Sequence, residues 1–129
     1  MCSSDLLIFL LSAFVVLVSF VAVNGMDDII SSLKTGNTNQ LTSYFDNTVE
    51  LSFPEKSGSY SKNQARVILN DFFSLHQVRR FDLLHRGDNF SSQYFIGVLY
   101  TKNGTFRTTV YLKQEGNNQV LRQIKFDLN

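Results

Sequence analysis

The spacing of apolar residues changes along the chain, and each change marks a different element. Residues 27–33 place apolar side chains at helical spacing behind an acidic first turn, which suits the positive end of a helix dipole. Gly36 follows where such a helix ends. Residues 38–45 predict a second short helix. Residues 49–53 then alternate apolar with polar, which predicts a strand with one buried face, and residues 57–60 predict a short second strand or turn.

A long amphipathic helix is the clearest element. Ser61 and Gln64 form a capping box, in which each side chain can bond the backbone N–H of the other residue. The helix is predicted to run through His76. One of its faces carries Ala65, Ile68, Leu69, Phe72, Phe73 and His76.

Four β-rich segments separated by turn signals complete the chain. Asn103-Gly104 predicts a tight hairpin, because both residues tolerate positive φ. Helices and strands are therefore segregated, and the predicted class is α+β. The four predicted strands are Val78–Arg86, Ser92–Lys102, Thr105–Gln114 and Gln119–Asp127.

The N-terminal segment differs from everything that follows, because no residue from Leu6 to Val23 is charged. We interpret residues 1–25 as a secretory signal cleaved before Met26, and residues 26–129 as a single domain in the periplasm or outside the cell. The run is also long enough to span a bilayer, so an uncleaved inner-membrane anchor is the alternative. A membrane contact is expected only if this segment is retained. The stretch from Cys2 to Leu6 resembles a translated sequencing adapter, so it stays open whether residues 1–6 are native.

The composition argues against several kinds of functional site and of binding partner. Cys2 is the only cysteine and precedes the apolar run, so the predicted domain has no disulfide scaffold, thiol nucleophile or thiolate metal site. The net charge is +1, with acids dominating residues 26–55 and bases the remainder. Scattered surface charge explains this asymmetry better than an anionic partner does. Aromatic residues are plentiful but not interleaved with a basic stripe, which argues against nucleic-acid binding.

The order of elements, ααβ(β)αββββ, resembles the nuclear transport factor 2-like (cystatin-like) cone, in which a strongly curved antiparallel sheet wraps the helices. A second resemblance rests on five short segments, which are Met26-Asp27-Asp28-Ile29, Gly36-Asn37, Tyr44-Phe45, Tyr94-Phe95-Ile96-Gly97 and Tyr100 to Arg107. These segments are similar to a small family of exported Bacteroidota proteins, domain of unknown function 4783, and the resemblance covers about the whole of residues 26–129. It implies a fold and a compartment but no established activity.

Some superfamily members are isomerases or dehydratases with a base and a hydrogen-bond donor inside the cone. His76 is the candidate base here, with Tyr44 or Tyr60 as donor, although a helix-capping or partly buried histidine is the commoner role. His85 shares strand parity with Phe81 and is expected on the same face. A His76/His85 metal pair lacks a third ligand at recognisable spacing, so neither metal nor cofactor is predicted.

Thr105, Arg107, Thr109 and Tyr111 share one parity on a predicted strand and should face away from the helices. Such a row fits either a ligand or partner face, including a homodimer contact, or an ordinary solvated sheet. We therefore predict a non-catalytic module that binds an unknown protein or small ligand through this face or the cone pocket. A small isomerase- or dehydratase-type enzyme is the alternative.

Overall fold

A computed structural model describes residues 25–89 and 91–129, so the predicted signal segment lies outside the described residues. Within that part of the chain, no helix is long and apolar enough to cross a membrane. The helices are α1 (Gly25–Thr35), α2 (Thr38–Thr42) and α3 (Lys62–Leu75). The strands are β1 (Phe45–Ser52), β2 (Ser57–Ser61), β3 (Val78–Asp88), β4 (Ser92–Thr101), β5 (Gly104–Glu115) and β6 (Asn118–Leu128).

All six strands form one curved sheet in the order β2-β1-β6-β5-β4-β3. The four C-terminal strands form the predicted antiparallel meander. β1 pairs with β2 antiparallel and with β6 parallel, which places the first and the last strand side by side in the sheet. The predicted α+β class is confirmed.

The helices pack on the inner face of the sheet and bury a core rich in phenylalanine. The capping box that starts α3 is present: Gln64 N donates to Ser61 Oγ (3.3 Å), and Ser61 N donates to Gln64 Oε1 (3.2 Å). Phe72 extends from α3 toward the sheet, with its ring 4.6 Å from that of Phe126 and 5.3 Å from that of Phe106 (centroid distances). The helix therefore holds the centre of the core, as its apolar face predicts.

Two predicted boundaries are wrong for tertiary reasons. The second helix ends at Thr42, and Phe45 instead begins β1, where its side chain is buried in the core. β1 ends at Ser52, one residue before Phe53. Phe53 nevertheless stacks on Phe126, with ring centroids 5.5 Å apart, so its side chain packs against the core although the residue lies outside the strand.

The β4–β5 hairpin forms where it was predicted. Gly104 uses its tolerance of positive φ, with a φ of 149°, whereas Asn103 has a negative φ. Thr101 Oγ1 donates to the Gly104 carbonyl (2.7 Å) across the turn. The Asn103 side chain takes no part in this hydrogen bond and is available to another segment of the chain.

Candidate functional site

A cavity of about 380 Å³ opens at one end of the cone, between the C-terminal end of α3 and the sheet. We call this site the cone mouth. Small-molecule sites are concave and mostly apolar with a few polar groups, and the cone mouth has that composition. Its lining residues are Phe53, Pro54, Glu55, Lys56, Ile68, Asp71, Phe72, Leu75, His76, Asn103, Phe106 and Leu128.

Hydrogen bonds between distant segments fix the cone mouth. Asn103 Nδ2 donates to the carbonyl of Leu75 (2.6 Å), which satisfies one of the last carbonyls of α3. Lys102 N donates to the Gln77 carbonyl (2.9 Å), which holds the same hairpin against the chain leaving the helix. The β4–β5 turn is thus fastened to the end of α3, and one wall of the cavity is set by these two bonds.

His76 lies in the wall of the cone mouth as the C-cap residue of α3, and its backbone N–H donates to the Phe72 carbonyl (2.8 Å). Its ring packs between Phe72 (4.7 Å between centroids) and Phe106 (5.0 Å). Within residues 25–89 and 91–129, Nδ1 of His76 is the one buried side-chain polar atom that makes no hydrogen bond. A buried polar group without a partner costs about 1–3 kcal/mol, so the site contains a polar atom whose hydrogen bonding is unfulfilled.

Two leucines at the cone mouth are exposed to solvent. Leu75 is 68% exposed and Leu128 is 71% exposed. Scattered exposed leucines are ordinary, but these two lie on different elements and both line the same cavity. Charged residues of both signs surround them, namely Glu55, Lys56 and Asp71. The rim is therefore apolar at its centre and nearly balanced in charge.

The proposed catalytic partners of His76 lie elsewhere. The described residues that line the cone mouth do not include Tyr44 or Tyr60. Tyr60 is on β2, opposite Val49 of β1. Tyr44 donates a 2.5 Å hydrogen bond to Asp28 Oδ2, near the N-terminal end of α1. Burial, with the bond to Asp28 and its charge, raises the pKa of Tyr44 to about 12. The base-and-tyrosine arrangement expected for a cone enzyme is thus not assembled by these residues.

His85 does not share the face of Phe81, which corrects the parity prediction. Leu83 pairs with Gly97 and His85 with Ile96, so Leu84 is an extra residue in β3 and reverses the alternation after it. His85 is exposed on the outer face, where its Nε2 lies 3.1 Å from the Tyr94 hydroxyl. Among the described side chains, no group of three His, Cys, Asp or Glu residues is arranged to hold a metal ion.

The four residues predicted as a ligand or partner face point away from the helices. Thr105, Arg107, Thr109 and Tyr111 alternate along β5 with buried residues that face the core. Arg107 is opposite Asp127 of β6, and Thr109 is opposite Lys125. Tyr111, 43% exposed, differs from the other three because it lines a separate groove. A binding role for the row stays a prediction.

Sequence reasoning missed most of the cone mouth, apart from His76. The lining residues come from the β1–β2 connection, the end of α3, the β4–β5 turn and the last residues of β6. No local pattern brings such segments together. Leu128, an apolar residue at the end of the last strand, was a weak signal, and Asn103 was interpreted only as a turn residue.

Comparison with known proteins identifies relatives but no activity. The family of domains of unknown function DUF4783 matches residues 26–127. A solved DUF4783 structure from Bacteroides uniformis is 33% identical with a TM-score of 0.79; the match covers 82% of this chain and 98% of that one. Another, from Bacteroides ovatus, is 31% identical with a TM-score of 0.76, covering 79% and 93%. No curated protein matches the chain.

More distant structures share the fold alone. An NTF2-like protein of unknown function from Cytophaga hutchinsonii is 8% identical with a TM-score of 0.61, and the match covers 85% of this chain and 94% of that one. The crystallised DUF4783 relatives consist almost wholly of the matched region, so in those relatives the region folds by itself. On the match of residues 26–127 and the identity to these relatives, the chain belongs to the DUF4783 family, a family of unknown function with an NTF2-like fold.

Proposed function

We propose that this domain is a non-catalytic binding module that holds a small, mostly apolar molecule in the cone mouth. The observation that carries the proposal is an apolar cavity of about 380 Å³ whose wall contains the unpartnered Nδ1 of His76. A cavity of this size falls within the range of small-ligand sites, roughly 300–1,000 Å³. The protein family gives no competing assignment.

The gain from occupying the cavity has two sources. A ligand that covers Leu75 and Leu128 removes apolar surface from water, which contributes about 25 cal/mol per Å² of area buried. A hydrogen-bonding group placed near His76, after a small rotation of the ring, gives Nδ1 a partner and removes the cost of leaving it unsatisfied. The first source supplies affinity, and the second supplies orientation.

These features define the ligand class. The aromatic walls formed by Phe53, Phe72 and Phe106 favour a flat or aliphatic body. One hydroxyl, amide or carboxyl group would match the single unsatisfied nitrogen of His76. Since the charges at the rim are mixed in sign, net ligand charge is not expected to be the selective feature.

The first experiment is a titration of residues 26–129 with the fluorescent apolar anion anilinonaphthalene sulfonate, followed by a thermal-shift screen of small metabolites. A ligand that favours the folded state must raise the melting temperature. We expect Leu128→Ser to weaken dye binding severalfold. The matched control is Leu84→Ser, which removes an exposed leucine (60%) on β3 that does not line the cone mouth.

The outcomes are separable because both leucines are exposed and neither substitution should unfold the chain. Equal dye binding by the two variants and the unsubstituted domain would refute the cone mouth as the site. His76→Phe keeps the ring and removes its nitrogens. It should leave dye binding nearly unchanged while abolishing the thermal shift from any metabolite that bonds His76.

We also propose that the domain works outside the cytoplasm, because the uncharged segment from Leu6 to Val23 is typical of a secretory signal. Fractionation of cells that express the full chain tests this proposal. A shortened product in the periplasm or medium supports export with cleavage, and a full-length product in the membrane fraction supports the retained anchor. A full-length product in the cytoplasm contradicts both.

A further inference from the structure

A second concave site lies on the outer face of the sheet, opposite the helices, and encloses about 650 Å³. We call it the outer groove. It arises where the pairing of β1 with β6 is interrupted: Phe45 pairs with Leu121 and Glu50 with Gln123, so β1 takes five steps while β6 takes two. Arg122 is also an extra residue in the pairing of β6 with β5. Such irregularities bend strands and redirect side chains, and they are common beside functional sites.

A continuous row of side chains crosses the sheet at the outer groove. The register places Ser59 beside Glu50, Glu50 beside Gln123, Gln123 beside Tyr111 and Tyr111 beside Tyr94. Adjacent strands are about 4.8 Å apart, so the row extends over about 19 Å from β2 to β4. All five residues lie on the same face, since paired residues in a sheet project to the same side. The row can therefore follow an elongated ligand that runs across the strands.

The β4–β5 part of this row is an aromatic surface formed by Tyr94 and Tyr111. Their ring centroids are 6.1 Å apart and their planes differ by 34°. Tyr94 leans over Gly87 of β3, where a Cβ would overlap its ring. Its hydroxyl meets His85 Nε2 at 3.1 Å, which fixes the other end of the ring. A glycine and a histidine thus hold one tyrosine across the neighbouring strand, beside a second tyrosine that is 43% exposed.

The rest of the outer groove is polar and nearly balanced in charge. Asp46 Oδ2 lies 3.7 Å from Arg122 Nε. Asn47 and Gln123 contribute amides, which both donate and accept hydrogen bonds. Glu50 is another acceptor on the groove wall. Planar amides and carboxylates beside an aromatic face suit a ligand with many hydroxyl groups and apolar C–H faces.

We propose that the outer groove binds a neutral oligosaccharide, with sugar rings against Tyr111 and Tyr94 and hydroxyl groups bonded to Glu50, Gln123 and Asn47. C–H bonds of a sugar ring approach the electron-rich face of an aromatic ring favourably. An anionic polymer would need an excess of positive charge, which the balanced acids and bases of this groove do not provide. A peptide that extends a sheet would pair with an edge strand, whereas most of this groove is formed by the internal strands β1, β5 and β6, and the edge strand β2 contributes only Ser59.

The test uses residues 26–129 and a panel of neutral hexasaccharides with different linkages, measured by chemical-shift mapping and calorimetry. We expect at least one to shift the amide resonances of the outer groove at millimolar concentration. Tyr111→Ala should weaken that binding ~10-fold, since a lost stacking contact of roughly 1.4 kcal/mol corresponds to that factor. Gly87→Ala should also weaken it, because the new methyl group displaces the ring of Tyr94.

Tyr100→Ala is the matched control, because Tyr100 lies on the same outer face of β4 but outside the outer groove. Its variant should bind the sugar as the unsubstituted domain does. The proposal is overturned if none of the sugars perturbs the groove, or if only a proline-rich peptide or an anionic polysaccharide does. It is also overturned if Tyr100→Ala and Tyr111→Ala weaken binding equally. None of these results bears on the cone mouth, which lies on the other face.

Discussion

The cone mouth differs from the opposite end of the sheet in how its polar groups are paired. We call that opposite end, formed by Met26, Asp28, Gln40, Tyr44 and Gln119, the α1 end. Asp28 accepts hydrogen bonds there from Tyr44 Oη and Gln40 Nε2, both at 2.5 Å. The Met26 N–H donates to Gln119 Oε1 (2.9 Å), and Gln119 in turn donates to Gln93. At the cone mouth, by contrast, a buried ring nitrogen has no partner and two leucines face solvent.

The comparison separates residues that stabilise the fold from residues available to a ligand. A satisfied network of side chains rigidifies the structure that it joins, whereas an unsatisfied group in an apolar cavity costs stability and is retained where it serves another purpose. Substitutions at the α1 end should therefore act on stability. At the cone mouth, substitutions of His76 and of the two exposed leucines should act mainly on binding, whereas its buried phenylalanines also belong to the core.

Phe72→Ala should cost about 3–5 kcal/mol of unfolding free energy, because it removes a large buried side chain that packs against Phe53, Phe73, Phe106 and Phe126. Urea denaturation measures the loss. Val67→Ala, at an exposed position on the same helix (57%), should change stability by no more than about 0.5 kcal/mol. Similar losses in both variants would contradict the central position of Phe72.

Asp28→Asn should cost about 1–3 kcal/mol, since the variant can no longer accept charge-assisted bonds from both Tyr44 and Gln40. Its neighbour Asp27 provides the control. Both acids lie in the first turn of α1, but Asp27 makes only a surface ion pair with Arg86 (3.0 Å). Asp27→Asn should therefore cost less than about 1 kcal/mol. Equal losses would show that the helix dipole, and not the network, accounts for the effect.

His76→Phe should leave stability unchanged or raise it by up to about 1 kcal/mol, because an apolar ring of similar shape removes an unsatisfied buried nitrogen. The same substitution should abolish binding of a metabolite that bonds His76 at the cone mouth, while dye binding there stays nearly unchanged. Denaturation and a thermal-shift assay with a bound metabolite give the two readouts. A loss of stability above about 1 kcal/mol would mean that the imidazole contributes to the fold, against the division drawn here.

Alkaline pH should weaken the α1 end specifically. The pKa of Tyr44 is about 12 in the folded chain and 10.0 for an unperturbed tyrosine. Between these values the unfolded chain releases this proton while the folded chain keeps it, so stability falls as pH rises through that window. Tyr44→Phe should show a shallower decline from pH 10 to pH 12 in urea midpoints. Parallel declines in the two proteins would show that Tyr44 titrates normally.

Local sequence patterns predicted the helices and strands. The features that they did not predict depend on pairing between residues far apart in the chain. The capping box at Ser61 and Gln64 fixed the start of α3 because both of its bonds are local. Whether Phe45 belongs to a helix or to a strand depends on its pairing with Leu121, which lies too far along the chain for a local pattern to include. The prediction of which face His85 occupies was wrong because Leu84 is an extra residue opposite β4. Such a β-bulge has no recognisable signal in the local sequence.

The candidate site was predicted less well for the same reason. His76 was identified from its place on a helical face, and the structure puts it in the cavity wall. The hydrogen-bond donors predicted for His76 were wrong, since Tyr44 donates to Asp28 at the far end of the sheet. The four-residue row on β5 was placed on the correct side of the sheet, but only Tyr111 lines a groove, because that groove depends on the irregular pairing of β1 with β6.

The parallel pairing of β1 with β6 has a consequence for how the chain folds. The third strand position of the sheet is filled by the last segment of the chain, so residues 45–52 have a neighbour on that side only after residue 118 is available. Pairing between segments so far apart in the sequence slows folding. In a chain that is synthesised or threaded from its N-terminus, the sheet therefore cannot close beside β1 until residues 118–128 have emerged.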